Sequence, residues 1–174
     1  PQRPLTSNLA LSAIYGAMYD TSWYQTLTSA VGQAISNADG SALLEIADLL
    51  NERNDDGTYS GNSLDALVVV NNLDYGPVGT VDEWAAAASA LEAELPIMGP
   101  YGGYPSAGLA AWPTAHAERA PITAAGAAPI VVVGTTHDPA TPYPMAQALA
   151  SQLSSGVLVS VEGWDHTSYK RGGN

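Results

Sequence analysis

No cysteine occurs anywhere in the sequence, which removes both a disulfide framework and a thiolate metal site from consideration. The three histidines, His116, His137 and His166, stand far apart and none has H-x-x-x-H spacing, so no metal signature is present. No phosphate loop or dinucleotide fingerprint occurs, and no cofactor is expected. Basic residues are scarce: five Lys and Arg against seventeen Asp and Glu give a net charge of −12. A surface of that sign repels nucleic acid and anionic membranes, so neither is an expected partner, and it favours cationic substrates such as free peptide amino termini. The same acidity also serves solubility alone. No apolar run approaches the length of a transmembrane helix, and no signal peptide is present, so an exported protein would carry its signal upstream of Pro1. The G-x-S-x-G turn that exposes a nucleophilic serine is missing, as is a glycine run for an oxyanion hole.

What is present is concentrated between Pro129 and Tyr169. Ile130 to Val133 is a short β-branched run closed by Gly134, the pattern of a strand buried on both faces in a parallel sheet. Asp138 follows at its carboxyl end. From Pro142 the segment PYPMAQALASQL sets Met145, Leu149 and Leu153 four apart on one helical face, and Ser154, Ser155 and Gly156 end it. A second β-branched run, Val157 to Val161, leads to Gly163 and His166. Two parallel strands joined by a crossover helix need about this many residues, and such sheets carry functional groups on the loops after the strand carboxyl ends. Asp138 and His166 are therefore expected side by side. A hydroxyl nucleophile needs an imidazole to take its proton, and that imidazole needs a buried carboxylate on its other nitrogen. Asp138 is assigned as the orienting acid and His166 as the base. The competing structural roles are a helix cap for Asp138 and a loop residue for His166.

The chain before this segment reads as helical. Ser7 to Tyr19 places Leu11, Ile14, Tyr15 and Met18 on one stripe, with Ser22 expected to cap a second helix over residues 23–37. Ser41 is expected to cap a third, ALLEIADLLNER. The segment NDDGTYSGN is turn chemistry. Ser63 to Asn72 is nearly apolar and predicts a buried helix. Thr80 with Glu83 forms a capping box before VDEWAAAASALEAEL. Residues 96–113, rich in Gly, Pro and Tyr, predict little regular structure. The tail YKRGGN is expected to fray.

The segments GTTHDPATP and VEGWDHTSY resemble the C-terminal part of secreted bacterial serine peptidases of the tripeptidyl aminopeptidase-like α/β-hydrolase group. The matching positions are Asp138, Pro139, Thr141 and Pro142 of the acid loop, then Gly163, His166, Thr167 and Tyr169 of the histidine loop. Asp165 stands where that motif has its second glycine, and a carboxylate beside His166 favours the protonated imidazole. The D-G-x-Y and N-S-L-D-A sequences around Tyr59 and Asp65 resemble the cap region of the same group. Related peptidases often carry cysteines where this chain has Asn72 and Leu109.

The resemblance implies an α/β fold: a mainly helical cap over residues 1–115, then residues 116–174 as the last two parallel strands and crossover helix of the hydrolase core. It implies a secreted or cell-envelope serine hydrolase, an aminopeptidase of tripeptidyl or prolyl type acting through an acyl-enzyme. Asp138 and His166 would be two triad members, and the serine would come from an N-terminal half of the same hydrolase, the expected partner. Tyr59, Asp65 and Asp74 are candidates for binding a peptide substrate, since a carboxylate can pair with its α-amino group. This chain alone, lacking the serine, is expected to be inactive. Esterase or lipase chemistry and a non-catalytic helical binding module remain the alternatives.

Overall fold

The computed structural model describes residues 3–169, so the expected frayed tail lies outside the described residues from Lys170 onward. The chain forms two compact units, one of residues 1–61 with 121–174 and the other of residues 62–120. The residues expected as a cap over 1–115 thus fall into both units, and the first three helices share a unit with the strands.

In the first unit, α1 (Ser7–Ala17), a 3-10 turn (Thr21–Trp23), α2 (Tyr24–Asn37) and α3 (Ser41–Leu50) pack around Ala13, Ala30, Leu43, Ile46 and Ala47. Small residues dominate this core, which lets the helices approach closely; Gly16 of α1 sits directly under Leu50. Two expected caps are corrected. The carboxylate of Asp20, not the Ser22 hydroxyl, caps the second helical segment by accepting the Ser22 N–H at 2.9 Å. Asp39 likewise accepts the Ser41 N–H at 3.0 Å, and Ser41 is the first residue of α3. Both are Asx turns, in which a carboxylate reaches a donor two residues on. The turn expected after α3 forms around Asp56, whose carboxylate accepts the N–H and O–H of Thr58 at 2.9 and 2.6 Å.

The same unit contains β1 (Ile130–Thr135), α8 (Tyr143–Gln152) and β2 (Gly156–Val161); α4 to α7 lie in the other unit. β1 and β2 are parallel, in register from Ile130 opposite Gly156 to Thr135 opposite Val161. α8 crosses over one face of this pair. Gly134 makes the close approach possible: a Cβ there would lie 2.7 Å from the Ala146 methyl and 3.0 Å from the Tyr143 ring. The expectation that these strands are buried on both faces is corrected. Val132 is buried, but Val131, Val133, Val157 and Val159 are exposed, and so are Met145 and Leu149 of α8. A parallel strand is covered on both faces only where helices flank the sheet on both sides, and among the described residues one crossover helix flanks this pair.

The second unit contains α4 (Ser63–Asp74), α5 (Val81–Glu94) and two single-turn helices, α6 (Gly99–Gly102) and α7 (Ala107–Ala110). The capping box forms as expected: Glu83 N–H donates to the Thr80 hydroxyl at 3.3 Å and Thr80 N–H to the Glu83 carboxylate at 2.8 Å. Trp84 is buried and donates its indole N–H to the Val78 carbonyl at 2.7 Å. α4, expected to be buried, exposes Leu64, Leu67, Val68, Val69, Val70 and Leu73, and of its residues only Asn72 is buried. Apolar composition states what these side chains favour, and the described residues do not cover them.

The contact between α8 and β1 leaves no room for a side chain at Gly134. Gly134→Ala is therefore expected to lower stability by about 1–3 kcal/mol through overpacking, read as a reduced urea midpoint. An unchanged midpoint would show that α8 shifts away at no cost.

Candidate active site

The loop leaving β1 turns back on itself around Asp138, whose side chain is 4% exposed. One carboxylate oxygen accepts the N–H groups of Ala140 and Thr141, each at 2.8 Å. The other accepts the Thr141 hydroxyl at 2.9 Å and the Thr167 N–H at 3.2 Å. The His166 Nδ1 lies 3.0 Å from both oxygens. Asp138 thus closes its own loop and binds the histidine, while α8 begins at Tyr143 with no side-chain cap hydrogen bond. Burial by itself would raise the Asp138 pKa. The N–H groups of Thr141 and Ala140, the His166 ring and the Thr167 N–H outweigh it and hold the carboxyl well below the usual carboxylate range.

Thr167 supplies its N–H from a backbone φ of 65°, a left-handed conformation that a β-branched residue seldom adopts. The strain sits immediately after the histidine and aims the amide at Asp138.

His166 follows β2 and is 28% exposed. Facing a carboxylate that is an acceptor only, its Nδ1 is the donor, and in the neutral ring that arrangement puts the lone pair on Nε2. Among the described residues Nε2 makes no hydrogen bond, and no serine hydroxyl reaches it. The pair is therefore a buried carboxylate holding an imidazole by Nδ1, with Nε2 left unoccupied among the described residues.

The histidine loop is also tied to the segment between α1 and α2. His166 donates its N–H to the Tyr19 carbonyl at 2.9 Å, and the Tyr19 ring stands edge-on to the imidazole at 4.8 Å. Asp165 accepts the Thr21 N–H at 2.7 Å, and the Tyr24 hydroxyl donates to the Trp164 carbonyl at 3.4 Å. On the other side the His137 ring stacks on Trp164 at 3.9 Å, and its Nε2 lies 3.1 Å from Glu162, which joins the acid and histidine loops. Sequence reasoning did not find Tyr19, Thr21 or Tyr24. They act largely through backbone groups, which leave no trace in residue spacing.

The other candidates stand outside the acid and histidine loops. Tyr59 is exposed in a bridge with Arg53 and makes no hydrogen bond to Asp138 or His166. Asp65, in the first turn of α4, and Asp74, its last residue, are exposed and belong to the unit of residues 62–120. Among the described residues no group of three or more His, Asp or Glu side chains could hold a metal ion. No helix there is long and apolar enough to cross a membrane.

Since the Asp138 pKa is lower in the folded chain than in the unfolded one, its contribution is complete above about pH 4 and lost as pH falls below that value. Asp138→Asn keeps the shape but turns a donor toward amide donors. It is expected to destabilise the chain by about 2 kcal/mol at pH 7, with the gap to the unsubstituted protein narrowing only below about pH 4. Urea unfolding of both proteins at pH 7 and pH 3 checks this; an equal midpoint at pH 7 would contradict it.

Comparison with known proteins bears on the same segment. The family model described as TAP-like protein matches residues 96–174. Serine protease Hip1 of Mycobacterium tuberculosis is 35% identical over 170 residues, 95% of this chain and 32% of that protein. Carboxylesterase B of the same organism is 34% identical over 164 residues, 91% of this chain and 31% of that protein. A putative hydrolase of Mycobacterium bovis matches to the same extent as the latter. The chain spans about a third of the length of these curated relatives, which are 31–32% covered. The parallel strand pair and crossover helix are those of the C-terminal part of an α/β-hydrolase, and residues 96–174, which contain them, match the TAP-like family.

Proposed function

We propose that the chain supplies the acid and base of a serine hydrolase that removes short peptides or single residues from free amino termini, with the nucleophilic serine on a separate, N-terminal portion of the same hydrolase. The observation that carries this reading is the buried Asp138 carboxylate on His166 Nδ1 with Nε2 left open. In the proposed reaction Nε2 takes the serine proton as the oxygen attacks the peptide carbonyl. Asp138 stabilises the imidazolium that results, and Nε2–H then protonates the leaving amine. A water molecule, deprotonated by the same nitrogen, hydrolyses the acyl-enzyme. The net charge of −12 supports a cationic substrate end, and Asp65, Asp74 and Tyr59 are the side chains assigned to it. A secreted or cell-envelope location is part of the proposal. An ester-cleaving reading is favoured by the carboxylesterase relative, since the triad itself does not choose between ester and amide.

The test uses the protein that joins this chain to its serine-bearing portion. A fluorophosphonate is expected to label the serine, and His166→Ala is expected to slow labelling by on the order of 10⁴-fold or more. Peptides with a free amino terminus should be cleaved and their acetylated counterparts should not, while Asp65→Asn or Asp74→Asn raises KM for the free peptides. Equal cleavage of blocked peptides would remove the requirement for a free amino terminus, and turnover of simple esters alone would replace the aminopeptidase reading with the esterase one. Labelling that ignores His166→Ala would remove the base assignment, and with it the hydrolase role proposed for this chain.

A further inference from the structure

We propose that the segment Tyr19–Tyr24, clasped by Asp165, is a positioning element that sets where His166 stands, an inference that rests on the reading of His166 as the base. The observation is a set of ties between groups about 140 residues apart. The Tyr19 carbonyl holds the His166 N–H at 2.9 Å, the Thr21 N–H is held by the Asp165 carboxylate at 2.7 Å, and the Tyr24 hydroxyl reaches the Trp164 carbonyl at 3.4 Å. Three consecutive residues of the histidine loop are thus bound to one short stretch of chain, two through its backbone and one through the Tyr24 hydroxyl. The Tyr19 ring, edge-on at 4.8 Å, adds a wall beside the imidazole.

The amides at the start of the second helical segment explain why an acceptor is needed at position 165. Asp20 satisfies the Ser22 N–H locally, at 2.9 Å. Thr21 N–H, one of the donors a helix start leaves without an internal partner, is satisfied by Asp165. Asp138 and the Thr141 hydroxyl, the latter at 3.4 Å, hold the imidazole through Nδ1 alone, so the backbone that carries the ring still decides where it stands. The clasp fixes the backbone on which the ring is carried, so the two together define the direction of Nε2. Asp165 touches no reacting atom and acts through His166.

The clasp can be opened from either side. Asp165→Ala removes the acceptor. Thr21→Pro removes the donor: Thr21 is the first residue of its helix, where proline is tolerated, and Asp20 before it is already extended at φ −143° and ψ 120°. In the protein that joins this chain to its serine-bearing portion, each variant is expected to lower the maximal rate of fluorophosphonate labelling about tenfold or more, with the half-saturating probe concentration little changed. The double variant should be no slower than either single one, because both remove the same contact. Asp165→Asn, whose amide oxygen still accepts the Thr21 N–H, should recover the rate to within about threefold. Hydrogen exchange at the His166 amide should accelerate in the two single variants and stay slow in Asp165→Asn.

Unchanged labelling in Asp165→Ala and Thr21→Pro, or losses that add in the double variant, would overturn the clasp. Failure of Asp165→Asn to recover the rate would overturn it too, by pointing to charge in place of the hydrogen bond. Labelling that ignores His166→Ala would instead defeat the base assignment, and the positioning role would fall with it. That outcome is distinct because the His166 amide would still exchange faster in the two clasp variants.

Discussion

Everything at the candidate site depends on keeping the Asp138 carboxylate charged while it is out of water. An isolated buried carboxylate is costly and would take up a proton. Here the N–H groups of Ala140, Thr141 and Thr167, the Thr141 hydroxyl and the His166 ring converge on its two oxygens. Those donors come from both strand-following loops, so the same contacts that keep the acid ionised also hold the loops together. Structure and chemistry are inseparable at this point: the charge requires the loop geometry, and the loop geometry is organised by the charge. The left-handed Thr167 shows that backbone strain is accepted to complete the set.

The scaffold beneath it is small. Two parallel strands in register bring the ends of β1 and β2 to one edge, and α8, seated over Gly134, spaces the loops that follow. One face of this strand pair is left apolar and exposed. The curated relatives that the chain matches are about three times its length, and it covers 32% of one of them.

Much of this was legible in the residues. The β-branched runs at 130–133 and 157–161, each bounded by glycine, announced two strands, and the acid and histidine that follow them could be paired because parallel connections bring strand ends together. The Thr80–Glu83 capping box was legible because its partners are local. Burial was not legible. The apolar runs of α4 and of the strands predict cover, yet composition records only a preference, and the partner surface must come from some other stretch of chain. Ser22 and Ser41 were read as caps, but Asp20 and Asp39, two residues earlier, accept the amides of those serines themselves. The contacts of Tyr19 and Thr21 with the histidine loop were out of reach for a simpler reason: a backbone carbonyl and a backbone amide are present in every residue. Asp165, which departs from the family's glycine, was the visible sign that something at this turn differs.

The central claim is that His166 Nε2, oriented through Asp138, receives the proton of a serine carried outside this chain. It is tested most directly by a crystal structure of the serine-bearing protein captured with a fluorophosphonate. The account predicts the modified serine oxygen within about 3 Å of Nε2, with Nδ1 still on Asp138. A modified serine seated away from Nε2, or beside a different base, would contradict it.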